Sequence, residues 1–182
     1  MRKKWLALAL SLTMVAGCLT GCGGSDSTTS NTNSGSSSND SAKVETLADG
    51  GGKVLNIYVW NDEFSSRFEK YYPDYDKSTK SIGDVKVNFI QNANEGNNYQ
   101  DKLDAALKAQ DSASADDKVD MFLCEMDYVN KYTNTDKALD VKALGLTDED
   151  MSQMYDYTKQ AATGVDGVLR GVSWQGCPGG FV

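Results

Sequence analysis

Residues 54–63 read VLNIYVWNDE, an apolar run that ends in an indole, an amide and two carboxylates. Only Asn56 interrupts the run, and a nearly continuous apolar stretch of this length is typical of a strand that is covered on both faces. The polar residues follow at the point where such a strand ends. We therefore predict a buried strand over residues 54–59 whose carboxyl end carries polar side chains.

Helical and extended patterns alternate from this strand to residue 132. Two segments repeat apolar residues at the spacing of an amphipathic helix. The stripes consist of Phe64, Phe68 and Tyr71, before Pro73, and of Tyr99, Leu103, Ala106 and Leu107. Residues 85–90 and 119–124 are predicted as strands, and residues 128–132 as a short helix. Three strands that are each followed by a helix indicate crossovers onto a mainly parallel sheet, and hence an α/β fold.

One more helix and one more strand are predicted after residue 140. Thr147, with Asp150 three residues later, resembles a capping box that opens a helix. One face of that helix would consist of Met151, Met154, Tyr155 and Thr158. Residues 164–167 are predicted as a turn and residues 168–174 as a fourth strand. Because residues 180–182 look like part of another strand, we expect the sequence to be a fragment of a longer protein.

Polar and aromatic residues follow each predicted strand, where ligands bind in open α/β sheets. Amides and carboxylates bind vicinal hydroxyl groups, and an indole packs on the apolar C–H face of a pyranose, so this mixture suits a sugar. The predicted ligand-binding residues are Trp60, Asn61, Glu63, Gln91, Glu125, Trp174 and Gln175. Asp62 and Asp127 are equally well explained as helix caps, and both tryptophans can instead be packing residues. Packing is the favoured role for Tyr71, Tyr72 and Tyr75.

Composition disfavours several classes of protein. The 182 residues include 26 acidic and 18 basic side chains, a net charge of −8, whereas a nucleic-acid binder needs a basic surface. Histidine is absent, which removes the Ser/His/Asp triad, the Cys/His pair and every metal site with a histidine ligand. We therefore expect a protein that is not an enzyme and that holds no cofactor or metal.

The N-terminus has the organisation of an export signal. Three basic residues at positions 2–4 precede an apolar run over residues 5–15, which is shorter than the roughly 20 residues of a membrane-spanning helix. Small residues precede both Cys18 and Cys22, in the pattern of the bacterial lipobox. Leu19, at the third position before Cys22, favours Cys22 as the lipidated residue. Cys18 remains an alternative, as does a plain secretory signal.

These features divide the chain into three parts. Residues 1–21 are the predicted lipoprotein signal peptide, and residues 22–52 are a Ser/Gly/Asn-rich tether with too little apolar surface to fold. Residues 53–182 form the predicted folded domain. An acidic chain should not bind anionic lipids, so acyl chains would anchor the exported protein to the outer face of the cell membrane.

The order of these segments resembles an extracellular solute-binding lipoprotein of an ABC importer, of the sugar-binding family 1 type. The resemblance rests on the two lipobox-like sites, the tether, VWNDEF at residues 59–64 and VSWQGCPGGF at residues 172–181. It implies a periplasmic-binding-protein-like lobe, truncated before a second lobe. It also implies a receptor that captures a mono- or oligosaccharide and delivers it to an ABC permease in the membrane.

Two points stay open beside this resemblance. A surface-tethered glycan-binding module or a glycosidase without a transporter is the alternative, and in a glycosidase Glu63 and Glu125 would be the acid and the nucleophile. Cys124 and Cys177 depart from the family's pattern. Export permits a disulfide between them, and two free thiols are an equal alternative.

Overall fold

The computed structural model describes residues 50–176. From residue 54 to residue 133, helices and strands follow one another in the order that the sequence predicts, with two additional short strands before the second predicted strand. The elements are β1 Val54–Val59, α1 Glu63–Tyr71, β2 Tyr75–Asp76, β3 Ser81–Ile82, β4 Val85–Gln91, α2 Asn98–Ala109, β5 Met121–Phe122, α3 Asn130–Thr133 and α4 Asp156–Ala161. The α/β prediction is confirmed.

The sheet has five strands in the order β2-β3-β4-β1-β5. β1 lies parallel to β4 along its whole length, from Val54 opposite Lys86 to Val59 opposite Gln91, and β5 pairs with its other edge, also in parallel. On the far side of β4, β3 pairs antiparallel with β4, and β2 pairs antiparallel with β3. The sheet is therefore mixed, and the prediction of a mainly parallel sheet needs this correction.

The hairpin that joins β3 to β4 went unpredicted because its strand β3 has only two residues, too few to show a periodicity. Its turn is Gly83-Asp84, between the paired residues Ile82 and Val85. Gly83 has a φ of +59°, a conformation that favours glycine and suits a two-residue hairpin turn. The Gly-Asp dipeptide was the available sequence signal for this turn.

Both faces of β1 are buried, as its apolar run predicts, and each face packs against a different helix. One cluster joins alternate β1 residues to α1 and to β4, and its members include Ile57, Val59, Phe64, Phe68 and Val87. The other cluster joins the opposite face of β1 to α2 and α3, and its members include Tyr58, Tyr99, Leu103, Leu107 and Tyr132. The helical stripes predicted from sequence therefore face the sheet, except for Tyr71 at the end of α1, which is 67% exposed.

Asn56, the polar interruption of β1, is buried and fully hydrogen-bonded. Only 3% of its surface is exposed. Its Nδ2 donates to the carbonyl oxygens of Asp116 and Lys118 at 2.8 and 2.9 Å, and its Oδ1 accepts from Asn88 at 2.9 Å. Its backbone N–H donates to the Asp120 carboxylate at 2.8 Å. Because buried polar groups are costly when unpaired, this network holds the chain that leads into β5 against β1.

The C-terminal half of the described chain differs most from prediction. The predicted fourth strand over residues 168–174 is wrong, since that segment has only an isolated antiparallel bridge, Thr163 to Leu169. The third strand is also shorter than predicted, although hydrogen bonds from Asp120 and Leu123 to β1 continue its ladder. Apolar runs of this length specify an extended chain only when a sheet edge is available to pair with it.

The predicted capping box forms without the long helix. The Asp150 carboxylate accepts from the backbone N–H and the hydroxyl of Thr147 at 2.8 and 2.6 Å. The intervening residues form turns, and the extended backbone of Tyr155, with ψ at 137°, separates them from α4. The box therefore stabilises a turn, and the prediction of a single helix from Thr147 to Thr158 is wrong.

Several predictions concern residues outside 50–176. The signal peptide, the lipidation site Cys22, nearly all of the tether and Cys177 belong to this group. Among the described residues, no helix has the length and apolar character needed to cross a membrane.

Candidate functional site

The carboxyl ends of the three parallel strands meet at one edge of the sheet, as predicted. Val59 at the end of β1 lies opposite Gln91 at the end of β4, and Tyr58 lies opposite Phe122 of β5. The loops that leave these strands are joined directly, because Asn94 Nδ2 donates to Glu125 Oε2 at 2.9 Å. We call the loops at residues 60–62, 92–97 and 123–129 the carboxyl-edge loops.

A crevice is expected between these loops because the helices leave β1 and β4 toward opposite faces of the sheet. α1 packs in the cluster on one face, whereas α2 and α3 pack in the cluster on the other. Neighbouring strands whose connections diverge in this way define a topological switch point, where open α/β sheets bind their ligands. β1 lies at the centre of this arrangement, between β4 and β5.

Trp60 packs at the top of β1 between the two hydrophobic clusters. Its ring meets Tyr99 edge to face, with ring centroids 5.4 Å apart and an interplanar angle of 86°. The side chain is half-buried and contacts both clusters. This environment agrees with the packing role that we considered for Trp60, and it places the indole beside the carboxyl-edge loops.

Asn61 and Glu63 are occupied by contacts at the start of α1. Asn61 Oδ1 accepts from the backbone N–H of Glu63 at 3.0 Å, and Glu63 Oε1 accepts from Arg67 at 3.0 Å. Asp62 occupies the N-cap position, but its side chain makes no capping hydrogen bond. At the start of α1, the side chain that accepts a backbone N–H is therefore that of Asn61 and not that of Asp62.

Trp174 belongs to a segment that has no regular secondary structure, and its side chain packs against α1. Its ring meets Phe64 edge to face, with centroids 5.5 Å apart, and the Arg67 guanidinium carbon lies 5.6 Å from its ring centroid. Since Glu63 in turn holds Arg67, two predicted site residues are linked through an arginine that sequence analysis did not single out. The i, i+4 spacing of Glu63 and Arg67 was the available signal.

Gln91, Glu125 and Gln175 present exposed side chains. Among the described residues, the amides of Gln91 and Gln175 have no hydrogen-bond partner, whereas Glu125 has Asn94. Asn94 is a site residue that sequence analysis missed. Its signal was its position in the asparagine-rich stretch that follows β4.

A group of buried phenols and one thiol lies beneath these loops. The Tyr99 hydroxyl donates to the Leu123 carbonyl at 2.7 Å and accepts from the Leu123 N–H at 3.1 Å. Burial raises the pKa of Tyr99, Tyr128 and Tyr132 and raises that of the free Cys124 thiol to about 12. These groups therefore stay protonated at neutral pH and do not supply an ionised nucleophile or base.

Within residues 50–176, no three acidic or cysteine side chains lie close enough together to hold a metal ion. Comparison with known proteins adds no constraint, since no protein-family model, curated protein or solved structure matches the chain.

Proposed function

We propose that this protein is the substrate-binding lipoprotein of an ABC importer, which captures an extracellular carbohydrate and delivers it to a membrane permease. The observation that carries the proposal is the meeting of amides, carboxylates and an indole at the carboxyl edge, where Asn94 joins Glu125 across two loops. Such groups bind sugar hydroxyls in pairs, and open α/β sheets bind their ligands at this edge.

The charge at this edge favours a neutral ligand over an anionic one. The carboxyl-edge loops contain Asp62, Glu95, Glu125 and Asp127 but neither lysine nor arginine. The nearest cation on α1, Arg67, is already paired with Glu63 at 3.0 Å. A uronate or a sugar phosphate would meet uncompensated negative charge, whereas neutral hydroxyl groups can donate to the carboxylates.

The two glutamates that a glycosidase would use are each hydrogen-bonded to another residue. A glycosidase needs two carboxyl groups that flank one glycosidic bond. Glu63 Oε1 accepts from Arg67 of its own helix and Glu125 Oε2 accepts from Asn94, so one oxygen of each carboxylate is held by a protein donor. The lipobox-like leader predicts that the protein is anchored at the outer face of the membrane, where a permease would lie beside it.

A binding and uptake experiment tests the proposal. Protein produced from the complete gene is titrated calorimetrically with maltotriose, cellotriose, xylotriose and chitotriose, and with trigalacturonate as the anionic control. We expect one neutral trisaccharide to bind and trigalacturonate to give no heat. Gln91→Ala, at the end of β4, should weaken binding several-fold, whereas Gln153→Ala, at an exposed glutamine that does not follow a parallel strand, should not.

Uptake by living cells is measured in the second arm of the experiment. Deletion of the gene should abolish uptake of the radiolabelled trisaccharide that binds in vitro. Binding without any loss of uptake would favour the tethered glycan-binding module, and release of reducing ends by the purified protein would favour the glycosidase. Absence of binding by all four neutral probes would overturn the carbohydrate proposal.

A further inference from the structure

Two tyrosines near the start of α4 form an exposed aromatic pair. The rings of Tyr155 and Tyr157 are stacked, with centroids 5.8 Å apart and an interplanar angle of 19°. Tyr155 is 68% exposed and Tyr157 is 44% exposed. Neither hydroxyl has a hydrogen-bond partner among the described residues. An exposed ring held by a second ring presents an ordered apolar face to solvent together with unused polar groups.

The segment that carries two predicted site residues lies against this pair. A Cβ atom placed on Gly176 would lie 3.3 Å from the Tyr157 hydroxyl and 3.5 Å from the Tyr155 ring. Gln175 is the preceding residue, and its exposed amide has no partner in the described part of the chain. An aromatic face and two free phenol groups therefore lie beside the backbone of Gly176, and the free amide belongs to the residue that precedes it.

Trp174 is less suited to stacking than the sequence suggested. The Arg67 guanidinium lies over its ring and Phe64 contacts it edge to face. The indole is half-buried against α1, whereas the Tyr155 ring is mostly exposed. The aromatic surface available to a ligand near residues 174–176 is therefore that of the tyrosine pair.

We propose that Tyr155, Tyr157 and Gln175 form a carbohydrate subsite, an inference that rests on the proposed function and assigns it a specific surface. A pyranose ring stacks its apolar C–H face on Tyr155. The Tyr157 hydroxyl and the Gln175 amide bind ring hydroxyl groups, each as both donor and acceptor. Uncharged partners of this kind take a neutral sugar, in agreement with the charge of the carboxyl-edge loops.

The test compares Tyr155 with a matched tyrosine. Tyr71 is 67% exposed, but the Lys70 ammonium lies 5.0 Å from its ring centroid, and Tyr71 is not a member of the proposed subsite. Protein from the complete gene is titrated with the four neutral trisaccharides used above. Loss of one stacking contact should weaken binding by about 5- to 50-fold in Tyr155→Ala, while Tyr71→Ala should change it by less than about 2-fold.

Two further variants separate stacking from a general structural effect. Tyr155→Phe keeps the ring and should restore binding to within about 3-fold of wild type, whereas Gln175→Ala should weaken it by about 3- to 10-fold. Far-UV circular dichroism and urea unfolding should be unchanged in all of them, because the side chains are exposed. If the wild type binds a trisaccharide and Tyr155→Ala binds it equally well, the subsite is wrong and the proposed function stands. If none of the four probes binds the wild type, both proposals fail.

Discussion

Replacing Tyr99 with phenylalanine tests how the carboxyl edge of the sheet is held together. Tyr99 is fully buried, and its hydroxyl lies between α2 and the end of β5. It donates to the Leu123 carbonyl at 2.7 Å and accepts from the Leu123 N–H at 3.1 Å. The substitution removes one oxygen atom and keeps the ring that packs against Trp60.

The magnitude follows from the partners that the hydroxyl leaves behind. The Leu123 N–H also donates to the Tyr58 carbonyl at 3.1 Å, so it keeps a partner in Tyr99→Phe. The Leu123 carbonyl loses its 2.7 Å donor within the buried end of the sheet. One buried carbonyl left unsatisfied costs about 1 to 3 kcal/mol, and we expect the free energy of unfolding to fall by that amount.

Tyr128→Phe provides the matched control. Tyr128 packs against the same cluster, and its hydroxyl is buried but has no hydrogen-bond partner within the described residues. Its removal leaves no protein group unsatisfied, so stability should change by less than about 0.5 kcal/mol or rise slightly. Urea unfolding followed by circular dichroism measures both variants. Equal destabilisation of the two, or no change in Tyr99→Phe, would refute the role assigned to the Tyr99 hydroxyl.

Three further predictions concern other parts of the chain. The Cys124 thiol, whose pKa burial raises to about 12, should alkylate with iodoacetamide at pH 8 far more slowly in folded than in urea-unfolded protein; peptide mass spectrometry measures this, and equal rates would contradict it. Hydrogen bonds from Arg170 hold the pKa of Asp166 well below its ordinary value of 3.8. This pair therefore stabilises the folded protein above pH 3.8, and the stabilisation is lost as the pH falls below 3.8 toward the lower pKa of the folded state. Unfolding measured from pH 6 down to pH 2 should therefore depend less on pH in Asp166→Asn, and an unchanged slope would show that the pair is not coupled to folding. Cys22→Ser should abolish labelling with radioactive palmitate and release the protein from membranes, whereas labelling that is lost only in Cys18→Ser would move the cleavage site.

The elements that were predicted correctly are those whose signal is contained in a few consecutive residues. The apolar run of β1 and the alternation of Val85, Val87 and Phe89 each specify a strand, and the stripe of Tyr99, Leu103 and Leu107 specifies a helix. Burial of these faces requires only that a neighbouring layer be present. The meeting of the loops at the carboxyl edge follows from parallel pairing itself, since parallel strands end at the same edge.

The positions of the candidate site residues depended on contacts distant in sequence. Glu63 was predicted to face a ligand, but it pairs with Arg67, one helical turn away. The Arg67 guanidinium in turn lies over the ring of Trp174, which is more than a hundred residues later in the sequence. Asn94 joins Glu125 only because β4 and β5 flank the same central strand. The i, i+4 spacing of Glu63 and Arg67 is visible in the sequence, but the contacts of Trp174 with Arg67 and of Asn94 with Glu125 join residues too far apart to show a periodicity.

The sequence alone determined the α/β class, the central strand and the polar character of the edge where it ends, because helix and strand periodicities are local and composition is independent of folding. Only the tertiary structure decided that residues 168–174 form an isolated bridge and not a strand of the sheet, that the capping box at Thr147 closes a turn, and that the exposed aromatic face near residues 174–176 belongs to Tyr155. A strand needs a free sheet edge, and a side chain becomes available to a ligand only if no other residue covers it. Both conditions depend on where the rest of the chain packs.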